Sequence, residues 1–497
     1  MGNEASSVRA AEKRISTGVA GLDEIMSGGL VRGRAYLVRG GPGSGKTTLG
    51  LHFLTCGAAA GEPVLCISLA EPEAQLRDNA QGMGIDLTGV SFLDLSPDAN
   101  FFSQAQSYDI FSPAEVEREP VTRSIMERVE QLKPRRIFVD SMTQFRYLTQ
   151  DAFQFRKQAL SFLRFLVEHQ ATVLVTSEGT TEAPDEDLRF MSDGVLELES
   201  GPDGRRVAVT KFRGSDFRNG PHAFRLGETG MEVFPKLSSE EHGRPFHPEM
   251  IRSGVPELDE MLHGGMTRGM VTLISGPSGV GKTTLGVLFM RELAGRGEHS
   301  VVYLFEEWIE SFVHRCEAIS IPVHAMIERG TLSVVQVEPL RYSSDEFNRM
   351  VRREVEERNA RIVMLDSISG YRLCIRGQEL VTHLAALTRY LKSMGVTALI
   401  INETESIAGG EFRVTDVGIS YVADNVLFLR YLETAGQLRK AVGVLKKRMS
   451  DFENNLRELE ITRYGVKVGR PLTNLRGILT GTPQLADHGG DRASPES

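Results

Sequence analysis

A glycine-rich phosphate-loop motif occurs twice in this chain, and the two copies lie at one fixed spacing. Gly40-Gly41-Pro42-Gly43-Ser44-Gly45-Lys46-Thr47 recurs as Gly276-Pro277-Ser278-Gly279-Val280-Gly281-Lys282-Thr283, an offset of 236 residues (282 − 46). Without gaps, that offset aligns Thr17-Gly18-Val19 with Ser253-Gly254-Val255 and Leu22-Asp23-Glu24 with Leu258-Asp259-Glu260. It also aligns Gly28-Gly29 with Gly264-Gly265 and Gly61-Glu62 with Gly297-Glu298. About half the positions from Thr17 to Gly50 are identical in the two copies. Unrelated domains do not agree in this way, so the chain is an internal duplication.

Each half alternates short β-rich runs with helical patterns. The runs include Ala35–Val38, Val64–Ser68, Arg136–Asp140 and Thr172–Thr176, and a helical pattern covers Phe155 to His169. Short apolar runs between helices predict an α/β fold with a largely parallel twisted sheet covered on both faces. The expected organisation is a first domain over 1–237, a polar linker over 238–248, a second domain over 249–482 and a disordered tail over 483–497. The linker opens with Ser238-Ser239-Glu240-Glu241-His242-Gly243-Arg244-Pro245, a stretch rich in loop formers. The tail holds few apolar residues.

Composition narrows the function classes. A net charge of −9 and a pI near 5.8 argue against a dedicated duplex-binding protein, which carries a basic excess. Cys56, Cys66, Cys316 and Cys374 include no C-x-x-C pair, so zinc and dithiol motifs are absent. They read as reduced thiols in a cytoplasmic chain. No apolar run is long enough to span a bilayer. The opening Met1-Gly2-Asn3-Glu4-Ala5-Ser6 fits the loose myristoylation pattern, and its plainer reading is a flexible acidic leader.

The motif G-x-x-x-x-G-K-[ST] has a mechanism when it joins a strand to a helix, as both copies do. Its glycines let backbone N–H groups close around phosphates, and the helix N-terminus adds favourable partial charge. The expected nucleotide contacts are Gly41, Gly43, Ser44, Gly45, Lys46, Thr47 and Thr48 in the first half. In the second they are Ser278, Gly279, Val280, Gly281, Lys282, Thr283 and Thr284. Lys46 and Lys282 are placed to meet the β- and γ-phosphates of ATP, and Thr47 and Thr283 to offer a hydroxyl to magnesium. Apolar strands ending in Asp140 and Asp366 supply the carboxylates that complete the magnesium shell. Phosphoryl transfer also needs a carboxylate to orient or activate the attacking group. Glu306 and Glu307 end the apolar run Tyr303-Leu304-Phe305, and at the same offset the first half has Ala70 and Glu71.

The repeated S/T-G-hydrophobic-x-x-L-D-E element, followed by Gly-Gly and the phosphate loop, resembles the RecA/RadA superfamily. The tandem arrangement with a Glu-Glu pair is similar to the KaiC family of ATPases and autokinases, from about Arg14 to Pro483. The resemblance implies two RecA-like domains, a homo-hexamer of two stacked rings, and ATP between neighbouring subunits. It implies that the paired glutamates activate water or a phospho-acceptor. Lys211-Phe212-Arg213-Gly214 resembles the family's K-x-R-G element, which reaches a neighbour's γ-phosphate, so Lys211 and Arg213 join the expected catalytic set. Lys446 and Arg448 are their counterparts, with Met449 where glycine is usual. The family's phospho-acceptor segment corresponds to Thr415-Asp416-Val417-Gly418-Ile419-Ser420-Tyr421. Ser420 is therefore the expected acceptor and Thr415 a second one, while Tyr421 departs from the two-acceptor pattern. In the first half, Arg189-Phe190-Met191-Ser192-Asp193 lacks the matching hydroxyls. Leu475–Pro483 is similar to the loop lining the second ring's pore. The short polar tail beyond it argues against KaiA as a partner, although a signalling protein partner is expected.

Three readings stand at this point. The leading one is a hexameric ATPase with a serine/threonine autokinase in its second half and a regulatory role. The others are a nucleotide-switched scaffold without significant kinase activity and a RadA-like DNA-repair ATPase. The acidic balance and the absence of a zinc module weigh against the last, and against nucleic acid as a partner.

Overall fold

A computed structural model describes residues 14–96, 113–147, 152–179, 184–202, 204–237, 243–338, 340–375, 380–404, 419–434, 436–473, 475–476 and 484–485. The chain divides into two compact units, Met1–Lys236 and Leu237–Ser497. Residues 238–242 of the expected linker, Thr415, and most of the expected tail and pore segment lie outside the described residues.

In the first unit, β1 (Ala35–Arg39) runs through the phosphate loop into α1 (Lys46–Ala59). Then follow β2 (Val64–Ser68), α2 (Glu73–Gly82), β3 (Val90–Asp94), α3 (Pro113–Leu132), β4 (Arg136–Asp140), α4 (Ala152–Glu168) and β5 (Thr172–Ser177). The unit closes with β6 (Gly194–Gly201), β7 (Gly204–Phe212), β8 (His222–Gly227) and β9 (Gly230–Phe234). The nine strands form one sheet in the order β3-β2-β4-β5-β1-β6-β7-β8-β9. Pairing is parallel from β3 to β6 and antiparallel from β6 onward.

The second unit repeats this plan. Its elements are β10 (Val271–Gly276), α5 (Lys282–Gly295), β11 (Ser300–Leu304), α6 (Ile309–Glu317), β12 (Leu332–Gln336), α7 (Ser344–Glu356) and β13 (Ile362–Asp366). After them come α8 (Leu380–Ser393), β14 (Thr397–Glu403), β15 (Asn425–Thr434), β16 (Gln437–Lys447), β17 (Arg457–Thr462) and β18 (Gly465–Pro471). The sheet order, β12-β11-β13-β14-β10-β15-β16-β17-β18, matches the first strand for strand. Two tandem RecA-like domains, each a mostly parallel sheet flanked by helices, are the architecture that the motif pattern implies.

Strand periodicity explains why both faces are covered. Along β1, Tyr36 and Val38 point into a core beneath α1 that includes Leu49, Phe53 and Phe138. Ala35 and Leu37 point the other way, into a core that includes Phe155, Leu163 and Leu166 of α4. Successive side chains of a strand alternate faces, so a run that is apolar throughout must be buried twice. The second unit repeats this with Ile274 on one side and Val271 and Leu273 on the other.

The phosphate-loop helices lie close to their sheets because each carries a glycine at the contact. A Cβ at Gly50 would sit 2.1 Å from the Phe138 ring, and one at the equivalent Gly286 would sit 2.5 Å from Met364 Sδ. Phe138 is a rigid ring buried completely, whereas Met364 is flexible and can re-rotamer. Overpacking of a rigid site costs about 1–3 kcal/mol. Gly50→Ala is therefore expected to destabilise the first unit by that amount, and Gly286→Ala to destabilise the second by less than half as much. Native-state hydrogen exchange of the β4 and β13 amides reads the two effects separately, and equal losses would refute the distinction.

Candidate nucleotide sites

In both units the phosphate loop sits at the carboxyl end of the central strand. This is where parallel α/β sheets place their ligands. The residue before each helix is a glycine in the left-handed region, Gly45 with φ of 97° and Gly281 with φ of 114°. A side chain there would be strained, and at Gly281 its Cβ would also lie 2.3 Å from Ile461 Cδ1. Gly43 and Gly279 have positive φ as well, so consecutive N–H groups turn inward as an anion nest.

The loop lysines bond their own loops. Lys46 Nζ donates to the carbonyls of Gly40 (2.7 Å) and Gly41 (2.9 Å), and Lys282 Nζ donates to that of Pro277 (2.8 Å). Burial pushes both ammonium groups below the ordinary lysine value. Glu178 and Asp140 oppose this at Lys46, and Glu403, Asp366 and Glu306 oppose it at Lys282. A phosphate beside either lysine would likewise favour its charged form. Thr48 and Thr284 are buried, and Thr284 lines the second cleft. Ser44 Oγ is buried without a hydrogen-bond partner. Val280, expected among the nucleotide contacts, has its side chain wholly inside the core, so only its backbone remains for a ligand.

The expected magnesium donors meet in both units. Thr47 Oγ1 donates to Asp140 Oδ2 at 2.6 Å, and Thr283 Oγ1 donates to Asp366 Oδ2 at 2.7 Å. Burial pushes the Asp366 carboxyl above its ordinary value, a penalty that a cation would offset. Among the described residues no three His, Cys, Asp or Glu side chains group closely enough to hold a metal by themselves. A hydroxyl and one carboxylate suit magnesium, which takes its remaining ligands from phosphates and water.

The carboxylate pairs behave differently in the two halves. Glu306 follows β11, lines a cleft of about 330 Å³ together with Lys282, Thr283, Asp366 and Glu403, and accepts from Ser367 Oγ at 3.3 Å. Glu307 turns to α6, where Arg315 grips both its oxygens: Nε to Oε1 at 3.1 Å and Nη2 to Oε2 at 2.6 Å. In the first unit Ala70 removes the first carboxylate. Burial pushes the Glu71 carboxyl up, and the Asp140 charge adds to that. Asn79 of α2 makes a weak bond to the Glu71 carboxylate, Nδ2 to Oε2 at 3.5 Å.

The expected trans cations lie elsewhere. Lys211 ends β7 and donates to the carbonyls of Arg189 (2.7 Å) and Phe190 (3.0 Å); Arg213 donates to Phe190 at 3.4 Å. Lys446 ends β16 and donates to the carbonyls of Ser420 (3.1 Å) and Ala423 (2.6 Å). Arg448 pairs with Asp424 at 3.4 Å. Thr272 of β10 stands level with Asn425 of β15, which follows this cluster, and Gly276 ends β10 four residues on. At 3.3 Å per residue that is a separation of about 13 Å along the strand. Ser420, exposed in a 3₁₀ turn, and Lys446 thus occupy the sheet edge opposite their own phosphate loop.

Sequence reasoning missed four residues. Glu178 and Glu403 stand at the ends of β5 and β14, beside the loop lysines. Their signal, an apolar strand ending in a carboxylate, is the one used for Asp140 and Asp366. Arg205 and Lys440 cap the loops, donating to the carbonyls of Gly43 (2.5 Å) and Gly279 (3.0 Å). They sit on hairpin strands far along the chain, and no local pattern marks them.

Comparison with known proteins is consistent with this geometry. A family model described as the KaiC ATPase matches residues 15–238 and again 251–473. The chain is 29% identical to the circadian clock protein KaiC3 of Synechocystis sp. over 486 residues, covering 95% of this chain and 94% of that protein. It is 26% identical to the circadian clock oscillator protein KaiC of Parasynechococcus marenigrum (95% and 93% covered) and 28% identical to that of Picosynechococcus sp. (95% and 92%).

Two separate phosphate loops predict two separable binding events. Lys46→Ala and Lys282→Ala are each expected to lower the number of ATP molecules bound per chain from two to one, and the double variant to abolish binding. Equilibrium dialysis with radiolabelled ATP measures this. Loss of both sites in a single variant that remains folded would show that the sites are not independent.

Proposed function

The chain belongs to the KaiC family of ATPases, and from that membership we propose that it assembles as a homo-hexamer with ATP between subunits and that its second domain is an autokinase acting on Ser420. The domains in this reading are 1–237 and 249–482, and the setting is cytoplasmic. Among the described residues no helix is long and apolar enough to cross a membrane.

The observation that carries the proposal is the placement of Ser420 and Lys446 at the edge of the sheet remote from their own phosphate loop. A serine there can meet a γ-phosphate only when a second copy supplies the nucleotide. Lys446 and Arg448 would then lie beside that neighbour's phosphate, where cations offset charge that develops during transfer. In the reaction, Ser420 Oγ attacks the γ-phosphorus of the neighbour's ATP, its proton passes to the Glu306 beside that ATP, and ADP leaves. Magnesium held by Thr283 and Asp366 would neutralise phosphate charge. The first domain has the same loop and the same cations, Lys211 and Arg213, but no hydroxyl at the acceptor position. Its proposed role is slow hydrolysis, through Glu71, and ATP-dependent assembly.

The scaffold reading is favoured by one observation: Tyr421 stands, exposed, where the family pattern has a second acceptor. The DNA-repair alternative finds no such support, since the relatives named above are clock proteins. A regulatory role with a signalling protein partner other than KaiA completes the proposal.

Peptide mass spectrometry after incubation with magnesium and ATP decides between the first two readings. The expected result is one phosphate on Ser420, lost in Lys282→Ala and in Lys446→Ala, and restored when Lys282→Ala, which keeps Ser420 and Lys446, is mixed with a Ser420→Ala chain that supplies the nucleotide site from the neighbour. ATP turnover with no phosphate on any residue would leave the nucleotide-switched scaffold.

A further inference from the structure

The two halves differ at one pair of aligned positions that touches the reactive carboxylates. Asn79 and Arg315 are related by the repeat offset (315 − 79 = 236), and both reach back from the helix after the second strand to the second carboxylate position. In the first unit that contact is a single long amide bond. In the second it is a bidentate guanidinium–carboxylate pair, which fixes both oxygens in one plane and is among the stronger polar contacts a protein makes. Arg315 also lines the cleft with Glu306 and Asp366, and its guanidinium carbon lies 5.8 Å from the centre of the Phe312 ring.

Occupancy then differs between the halves. Glu307 has both oxygens engaged by Arg315, and Glu306 rather than Glu307 lines the cleft. In the first unit there is no carboxylate at position 70, and Glu71 is held only lightly. We infer that Arg315 is a positioning residue that latches Glu307 and so assigns the base role to Glu306, whereas the first unit, with asparagine in place of the latch, works through its second-position carboxylate, Glu71. The inference rests on the reading that the second unit turns over ATP. In that turnover water attacks the γ-phosphorus, the bond to ADP breaks, and the water's proton passes to the carboxylate.

The latch makes a gain of function testable in the full-length chain. Steady-state ATP turnover is measured for each variant with and without Lys282→Ala, and the difference is the second unit's share. Glu306→Gln is expected to lower that share at least about 100-fold, the scale of a lost general base, with KM for ATP changed less than about threefold. Glu307→Gln is expected to lower it less than about threefold. Adding Arg315→Asn to Glu306→Gln frees Glu307 and is expected to recover at least about tenfold in kcat. Adding Arg315→Lys, which keeps a cation on Glu307, recovers nothing. A residue with a merely structural role could not restore turnover when removed.

No recovery in the Arg315→Asn, Glu306→Gln chain, with ATP still bound at the second site, would overturn the inference. So would a loss in Glu307→Gln as large as that in Glu306→Gln, a comparison that leaves Arg315 untouched and does not depend on its variants folding. Turnover unaffected by Lys282→Ala in the parent chain would instead remove the premise that the second unit hydrolyses ATP, and this inference with it.

Discussion

Parallel strand pairing is the constraint on which the rest of each unit depends. Because β1 pairs in parallel with β5 and β6, and β4 pairs in parallel with β2 and β5, their carboxyl ends all lie on one edge of the sheet. The phosphate loop, Asp140 and Glu178 emerge there together although Thr47 is 93 residues from Asp140 and Lys46 is 132 (178 − 46) from Glu178. A parallel sheet must also be covered on both faces, and this brings α1 against it through Gly50. The opposite edge receives what the antiparallel extension delivers: Lys211 and Arg213 in the first unit, Lys446 and Arg448 in the second. Each unit therefore carries a phosphate-binding edge and a cationic edge that face apart. The proposed transfer to Ser420 needs both, and for that reason it is proposed to take place between two copies.

Duplication gave the chain two versions of this plan, and several of their differences touch the phosphate loop and the groups beside it. Arg205 and Lys440 do the same work on the phosphate loop with different cations. Phe138 and Met364 fill the same space beneath the helix with different stiffness. Ser44 and Val280 occupy the same loop position, one a buried hydroxyl and the other part of the core. The carboxylates diverge most, with Ala70 and Glu71 against Glu306 and Glu307, and Asn79 against Arg315. Such changes leave the backbone of the site alone and alter which charges face it.

Some of this was legible in the residues because it is local. The phosphate loops, the first strands and helices, Thr47 with Asp140 and Thr283 with Asp366 follow from motif chemistry and strand periodicity over a few neighbouring residues. At Val280 the motif did not tell side chain from backbone: the side chain packs into the core and leaves only the backbone for a ligand. Glu178 and Glu403 carried a readable signal, a carboxylate closing an apolar strand. Arg205 and Lys440 carried none, because a hairpin strand brings them to the loop from far along the chain.

The sequence alone determined the duplication, the α/β class and the two phosphate loops, and it named the residues proposed to hold phosphate and magnesium. These depend on short-range spacing, which a linear pattern records. Only the tertiary structure decided that Ser420 and Lys446 lie away from their own nucleotide site, that Glu307 is held by Arg315, and that Glu306 faces the cleft. Those facts depend on sheet order and on which way neighbouring side chains turn. Adjacent glutamates in a sequence are chemically alike, and burial and a neighbouring guanidinium are what make them different.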